Sequence, residues 1–419
     1  MREIARDFHA FRQHVFGDAA LLQRLSAITP LDALIGSAAH EGAALGYPFS
    51  ATDVLAEVQR VRRDWIEQWI APQPVEPDQH QSADTDHESR ADFTGWLPIR
   101  LFIRHDSLWV DWCYAGTRRL REPFFTGDVQ SLLSQPFNLA FRRYTPIGAL
   151  VTWAEQLREH GTYAPLKAVI AHVSRCGSTL VTQMLAQLPT HRVLSEPPML
   201  DVLLNIRHQW PQVTREQQVA WLRALVVVLG HGGSAATTLV MKLDAWHILE
   251  LDLLKEAFPN ASFILLFRDP LAVAASHMQQ PTSYMIPAAS NSMPWTPPHD
   301  AAIWNSSERY LAAVLGKIYE TGAAACERGA ARAIDYRSLP DAVYEGLADT
   351  FALPQEATAM AALKQRAAQH AKRRDESFDA AADAARNQAV SEILRDAISA
   401  SCAASYARLI AAASIRPNG

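Results

Sequence analysis

The most constraining feature of this 419-residue chain is a break at 174–179. Before it, Ala168, Val169, Ile170, Ala171 and Val173 follow Lys167 as an apolar strand pattern. After it, Leu180, Val181, Met184 and Leu185 recur at helical spacing. The break reads Ser174-Arg175-Cys176-Gly177-Ser178-Thr179. A strand that passes through one tight glycine turn straight into a helix opens a parallel α/β unit, because parallel strands need a crossover connection. The same geometry makes an anion site: backbone N–H groups converge at the helix N-terminus and the helix dipole adds positive potential. Gly177 lets the backbone approach the anion, Ser178 and Thr179 add hydroxyl donors, and Arg175 adds charge.

The alternation persists downstream. Strands are predicted at 167–173, 192–195, 237–243, 262–267 and 332–336. Helices are predicted near 179–188, 199–209, 216–229, 246–257, 270–278 and 302–325, with Ala-rich helical segments at 356–372 and 388–413. The expected class is therefore α/β over 161–419, a parallel sheet flanked by helices. In an open sheet of this kind ligands bind outside the carboxyl ends of the strands. Strand two ends in Ser195-Glu196-Pro197, strand three in Lys242 and strand four in Arg268. An anion loop, a carboxylate, an ammonium and a guanidinium thus converge on one edge. Lysine is scarce, six residues among 39 basic ones, which draws attention to Lys242.

The first 160 residues read differently. Residues 1–70 form a small helical unit: Phe8, Phe11, Val15 and Phe16 recur at helical spacing, and Gly46 ends a helix over 31–44. Ser50 caps the next one, with Asp53 three residues on. Residues 71–93 hold three prolines and six acidic residues with almost nothing apolar, the composition of a disordered linker. Residues 94–160 are a small β-rich subdomain, in which 96–103 and 108–114 form a hairpin around His105-Asp106-Ser107.

Composition excludes several classes. With 49% hydrophobic and 20% charged residues the chain is neither disordered over most of its length nor fibrous. A net charge of −5 gives no general basic field for nucleic acid. Cys113, Cys176, Cys326 and Cys402 lie far apart with no Cys-x-x-Cys, so neither a disulfide framework nor a structural zinc site is expected. No signal peptide follows the charged N-terminus, and no run of about 18 apolar residues suggests a membrane span. The expectation is a soluble, cytoplasmic protein.

The loop is not a Walker A sequence, which requires Gly-x-x-x-x-Gly-Lys-Ser/Thr. It resembles instead the 5′-phosphosulfate loop of sulfotransferases, with Cys176 where that family commonly has serine. The strand 263–267 followed by Arg268-Asp269-Pro270, with Ser276 eight residues after the arginine, strengthens the likeness. Asp269 is placed to cap the helix and Pro270 to start it. Ile334-Asp335-Tyr336-Arg337-Ser338-Leu339 resembles a further family segment, so the likeness covers about 165–355.

This resemblance implies 3′-phosphoadenosine 5′-phosphosulfate as donor, a hydroxyl or amine acceptor that is a small molecule or a peptide, and no metal. It implies that Arg175, Cys176, Gly177, Ser178, Thr179 and Leu180 bind the 5′-phosphosulfate, that Arg268 and Ser276 bind the 3′-phosphate, and that Lys242 bridges the sulfuryl and leaving oxygens. Glu196 is the first candidate for the base. Asp244 stands where many family members have a histidine and is the second candidate, and His247 is the third. The irregular stretch 279–300, with Tyr284, Met285, Met293 and Trp295, is a candidate lid or acceptor wall, and Lys372-Arg373-Arg374 a further phosphate contact.

Residues 8–60 resemble the nitrogen-fixation-associated leader domain of ribosomal peptide natural-product precursors. That implies a peptide or secondary-metabolite pathway and a protein partner for residues 1–70. Two other readings of the chain stay open. One is a P-loop kinase or nucleotide hydrolase, with 263–267 and Asp269 as a Walker B strand; the other is a non-catalytic peptide-binding scaffold.

Overall fold

A computed structural model describes residues 2–70, 92–104, 106–232, 237–287, 293–369 and 390–414. Most of the linker expected at 71–93, the hairpin residue His105, the centre of the 279–300 stretch and the basic run Lys372-Arg373-Arg374 lie outside the described residues. The chain divides into two compact units: one of 1–119, 126–163 and 224–234, the other of 120–125, 164–223 and 235–419.

The second unit is built on the five strands the sequence predicts: β4 (Leu166–His172), β5 (His191–Ser195), β6 (Thr238–Lys242), β7 (Ser262–Phe267) and β8 (Arg332–Asp335), every bound within one residue of expectation. They pair in parallel in the order β5-β6-β4-β7-β8, so the first strand in sequence lies at the centre. The chain leaves β4 to one side for β5 and β6 and returns to the other for β7 and β8. The reversal opens a crevice at the carboxyl end of β4, where the 174–179 loop begins. Residues 168–171 of β4, 239–241 of β6 and 263–267 of β7 are buried, the apolar runs of strands covered on both faces. On the helix Ser307–Glu327, Gly322 meets the sheet so closely that an added Cβ would lie 2.7 Å from Leu265 Cδ2.

Two predicted helices are divided. The one at 246–257 is a 3₁₀ turn, Ala245–Glu250, followed by a helix, Leu251–Ala257. Asp244 caps that turn, and the His247 ring reaches back to the Asp244 N–H. The one at 302–325 is Ala301–Trp304 followed by Ser307–Glu327. Ser306 accepts from Arg309 N–H and starts the second piece, as a serine cap does.

In the first unit, β1 (Trp96–Arg104), β2 (Ser107–Tyr114) and β3 (Arg143–Pro146) form an antiparallel sheet, with the hairpin where the sequence places it. The helices Arg2–Gly17, Ala19–Ser26, Leu31–Ala44 and Ala51–Ile70 belong to the same unit. The phenylalanines at helical spacing are the reason: the Phe8 ring lies 5.9 Å from that of Phe141, and Phe16 lies 5.1 Å from Trp96. Buried aromatic pairs of this kind contribute roughly 0.5–1.5 kcal/mol each beyond their area. The helical segment therefore shares a core with the β-rich one. Among the described residues no helix is long and apolar enough to cross a membrane.

Candidate functional site

Parallel strands put all their carboxyl ends on one edge. Across it the chain places Glu196 after β5, Lys242 at the end of β6, the loop after β4, Arg268 after β7 and Tyr336 after β8. The loop is held in an unusual conformation. Ser174 (φ 71°), Arg175 (φ 48°) and Gly177 (φ 80°) all occupy the left-handed region, which costs a non-glycine residue about 1–3 kcal/mol. Gly177 is required twice over, since a Cβ there would also lie 2.9 Å from Leu339 Cδ1 and 3.0 Å from Tyr336 Cδ2.

The loop leads into the helix Ser178–Leu185, whose capping residue, Gly177, brings no side chain to its N-terminus. Among the described residues the N–H groups of Cys176, Gly177, Ser178 and Thr179 make no hydrogen bond, whereas Leu180 N–H donates to Gly177 O at 2.9 Å. The cradle therefore has donors at 176–179, and the Leu180 amide, expected among them, is already engaged. The Cys176 thiol is buried and donates to Leu266 O at 3.2 Å, so its side chain anchors the loop to β7 and faces away from the cradle. The Arg175 guanidinium donates to Gln280 O at 2.7 Å.

On one side of the loop, Lys242 is 1% exposed and its Nζ lies 2.5 Å from Glu196 Oε1. The ammonium also donates to Thr179 Oγ1 at 3.3 Å and sits 4.8 Å from the centre of the Phe124 ring. Burial works against the Glu196 carboxylate, but Lys242 and His172 beside it hold its pKa down to about 2. Glu196 also has a left-handed backbone (φ 56°), and its N–H donates to Lys242 O, which aims the side chain back at the ammonium.

His172, the one buried polar side chain of β4, fills the space between these groups. Ser174 N–H donates to its Nδ1 at 3.0 Å, while its Nε2 lies 2.9 Å from Leu243 O and 3.5 Å from Glu196 Oε1. Burial disfavours the charged ring. The N–H aimed at Nδ1 decides the matter, because a nitrogen accepting that bond holds no proton. The ring is neutral with its hydrogen on Nε2. No motif marks His172 in sequence; its polarity inside a buried strand is the signal that could have found it.

Asp244 is half-buried, and its Oδ1 accepts from Ala245 N–H at 2.6 Å. Burial and the Glu196 charge push its carboxyl pKa up. His247 is fully buried: it accepts from Asp244 N–H, and its Nε2 lies 2.6 Å from Asp201 Oδ1. Both other candidates for the base are thus tied into the start of the 3₁₀ turn. Tyr284 and Met285 of the expected acceptor wall are buried, and desolvation beside Asp244 raises the Tyr284 phenol well above its usual pKa. Met293 and Trp295 are half-buried, with Trp295 6.0 Å from Lys317 Nζ.

On the other side of the loop, Arg268 Nη1 donates to Arg175 O at 3.2 Å, and its guanidinium lies 4.5 Å from the centre of the Tyr336 ring. Tyr319 OH donates to Arg268 O at 2.6 Å and fixes the strand end. Asp269 accepts from Ala272 N–H, and Pro270 occupies the first turn of Pro270–Gln279, as the sequence predicts. Ser276 lies in that helix, and its neighbour His277 places Nε2 3.0 Å from Ser174 Oγ. Tyr336 lies against both Gly177 of the loop and Arg268. Among the described residues no three His, Cys, Asp or Glu side chains gather as metal ligands.

Residues 222–313 match the Sulfotransferase family. That stretch contains Lys242, Asp244, Arg268 and Ser276 and leaves the 174–179 loop and Glu196 outside it. Over 121 residues the chain is 30% identical to protein-tyrosine sulfotransferase A of Caenorhabditis elegans, covering 26% of this chain and 31% of that protein. The chain thus spans about a third of the length of this relative. A sulfotransferase of Mycobacterium avium superposes at a TM-score of 0.33 and 14% identity, covering 57% of this chain and 79% of that one.

Proposed function

We propose that the chain transfers a sulfuryl group from 3′-phosphoadenosine 5′-phosphosulfate to a hydroxyl of its acceptor. The observation that carries this reading is the arrangement around the loop: unbonded N–H groups at 176–179, the Lys242–Glu196 pair on one side and Arg268 bonded to the loop backbone on the other. The match of 222–313 supports it.

The residues fit the donor. The loop N–H groups, Ser178 and Thr179 would hold the 5′-phosphosulfate, and Arg268 with Ser276 would hold the 3′-phosphate that distinguishes this donor from ATP. When bound, the donor supplies the sulfuryl group and a stable phosphate leaving group. In the transfer, the acceptor oxygen bonds to sulfur as the sulfur–oxygen bond to the phosphate breaks. Lys242 and the loop carry the charge that gathers on the leaving oxygen. Glu196 receives the acceptor's proton, a role that requires Lys242 to turn away from it, because a carboxylate held near pKa 2 is a weak base. Asp244 is engaged as a cap, which favours Glu196.

The test is transfer itself. Incubation with donor and a panel of tyrosyl peptides, phenols and alcohols should give a sulfated product, lost on Glu196→Ala. Tyrosyl peptides lead the panel because the C. elegans relative is a protein-tyrosine sulfotransferase. If residues 1–70 bring the acceptor, as the leader-like sequence suggests, they do so through their outer face, where Leu45 and Leu55 are exposed. Nucleotide hydrolysis with no sulfated product from any acceptor would refute this reading.

A further inference from the structure

His172 carries no role in the transfer as described, yet its position is hard to explain by packing alone. It ends a strand whose other inward residues are Ala168, Val169, Ile170 and Ala171, all buried, and it is itself only 4% exposed. An apolar side chain would fill that place without needing partners. The imidazole instead uses both nitrogens, each on a different part of the site: Nδ1 on Ser174 N–H of the loop, Nε2 on Leu243 O with Glu196 Oε1 at 3.5 Å. Both ends act where the backbone is left-handed, at Ser174 and at Glu196.

We propose that His172 is a positioning residue that couples the donor cradle to the proton acceptor; this rests on the sulfuryl-transfer reading. Through Nδ1 the ring holds Ser174 N–H and so keeps the loop turned for the four donors at 176–179 to converge. Its single Nε2–H donates to Leu243 O at 2.9 Å and lies 3.5 Å from the carboxylate oxygen that Lys242 also holds. When Lys242 turns toward the leaving oxygen, Nε2–H shifts from Leu243 O onto the neighbouring Glu196 Oε1 and keeps the freed carboxylate aimed at the acceptor. No proton leaves the ring, so the step adds nothing to the balance of the transfer. The two nitrogens therefore serve two separable quantities: donor binding depends on Nδ1, and the rate at saturating donor depends on Nε2.

The separation can be tested with two conservative variants, since an asparagine amide overlays Nδ1 and a glutamine amide overlays Nε2. His172→Asn should bind 3′-phosphoadenosine 5′-phosphate within about threefold of wild type and lose tenfold or more in kcat. His172→Gln should show the reverse: bisphosphate affinity down tenfold or more, kcat at saturating donor within about threefold. Equal losses in both quantities for both variants, or no loss in either, would overturn the inference while leaving the transfer reading intact. Failure of the wild type to bind the bisphosphate would remove the transfer reading and this inference with it. Should a variant fail to fold, ¹⁵N-histidine spectra of the wild-type chain decide. They should contain a neutral, non-exchanging ring protonated on Nε2 at pH 7 whose signals move when the bisphosphate is added. Only charged or Nδ1-protonated buried rings, or no response to the bisphosphate, would overturn the proposal.

Discussion

Lys242 Nζ and Glu196 Oε1 lie 2.5 Å apart at the ends of adjacent parallel strands, Ser195 being in register with Lys242. The pair links the two needs of the proposed reaction, because the cation that stabilises the leaving oxygen is the same one that keeps the base weak.

The pH dependence follows from that pair. With Lys242 present the Glu196 pKa is about 2, so above that value the carboxylate is ionised, and protonation of Glu196 should leave no acid limb in kcat/KM between pH 5 and 8. Removing the ammonium leaves burial unopposed, which raises a carboxyl pKa. In Lys242→Ala the residual kcat/KM should therefore gain an acid limb at higher pH than in wild type, on top of a loss of 10²-fold or more. A limb unmoved by the substitution would separate the two residues.

Gly177→Ala should weaken bisphosphate binding tenfold or more, as read by calorimetry. The new Cβ meets Tyr336 and Leu339 and must adopt φ 80°, a strain of roughly 1–3 kcal/mol that the loop relieves by moving.

Cys176→Ser should be close to neutral for bisphosphate binding, because a hydroxyl can keep the bond to Leu266 O from the same buried place. Cys176→Val, which leaves that carbonyl with only the Val173 N–H and frees the loop from β7, should lower the thermal midpoint and the affinity together.

Acid stability of the first unit should depend on Glu57. Burial raises its pKa, but Arg12 and Arg60 more than compensate and hold it to about 2, below an unfolded value of about 4.3. A depressed pKa gives stability that is complete above the unfolded value and lost as pH falls through the folded one. Wild type should thus lose roughly 2–3 kcal/mol between about pH 4.3 and 2 from this group alone. Glu57→Gln should be less stable at pH 7 and flatter over that window in acid-unfolding curves.

Strands β4, β6 and β7 were legible because each holds a short apolar run followed within two residues by a polar one: Ser174, Asp244 and Arg268. Asp269-Pro270 marked its helix for the same local reason. What the sequence hides are relations made only by the strand order β5-β6-β4-β7-β8, which brings His172 against Glu196 and Arg268 against the loop carbonyl of Arg175. The burial of the Cys176 side chain was hidden too, since a loop residue's direction depends on φ values that the sequence does not state. Asp244 and Ser306 have the chemistry of helix caps, but the apolar periodicity runs on through both breaks and hides them.

The central claim is that the cradle and Arg268 form two phosphate sites on one donor. Calorimetric titration with 3′-phosphoadenosine 5′-phosphate, AMP and ATP–magnesium on wild type and Arg268→Ala tests it directly. The bisphosphate should bind tightly and AMP weakly, with the difference falling about 10- to 100-fold in Arg268→Ala, as loss of one or two charge-assisted bonds implies. ATP–magnesium binding better than the bisphosphate, with no advantage from the 3′-phosphate, would contradict it.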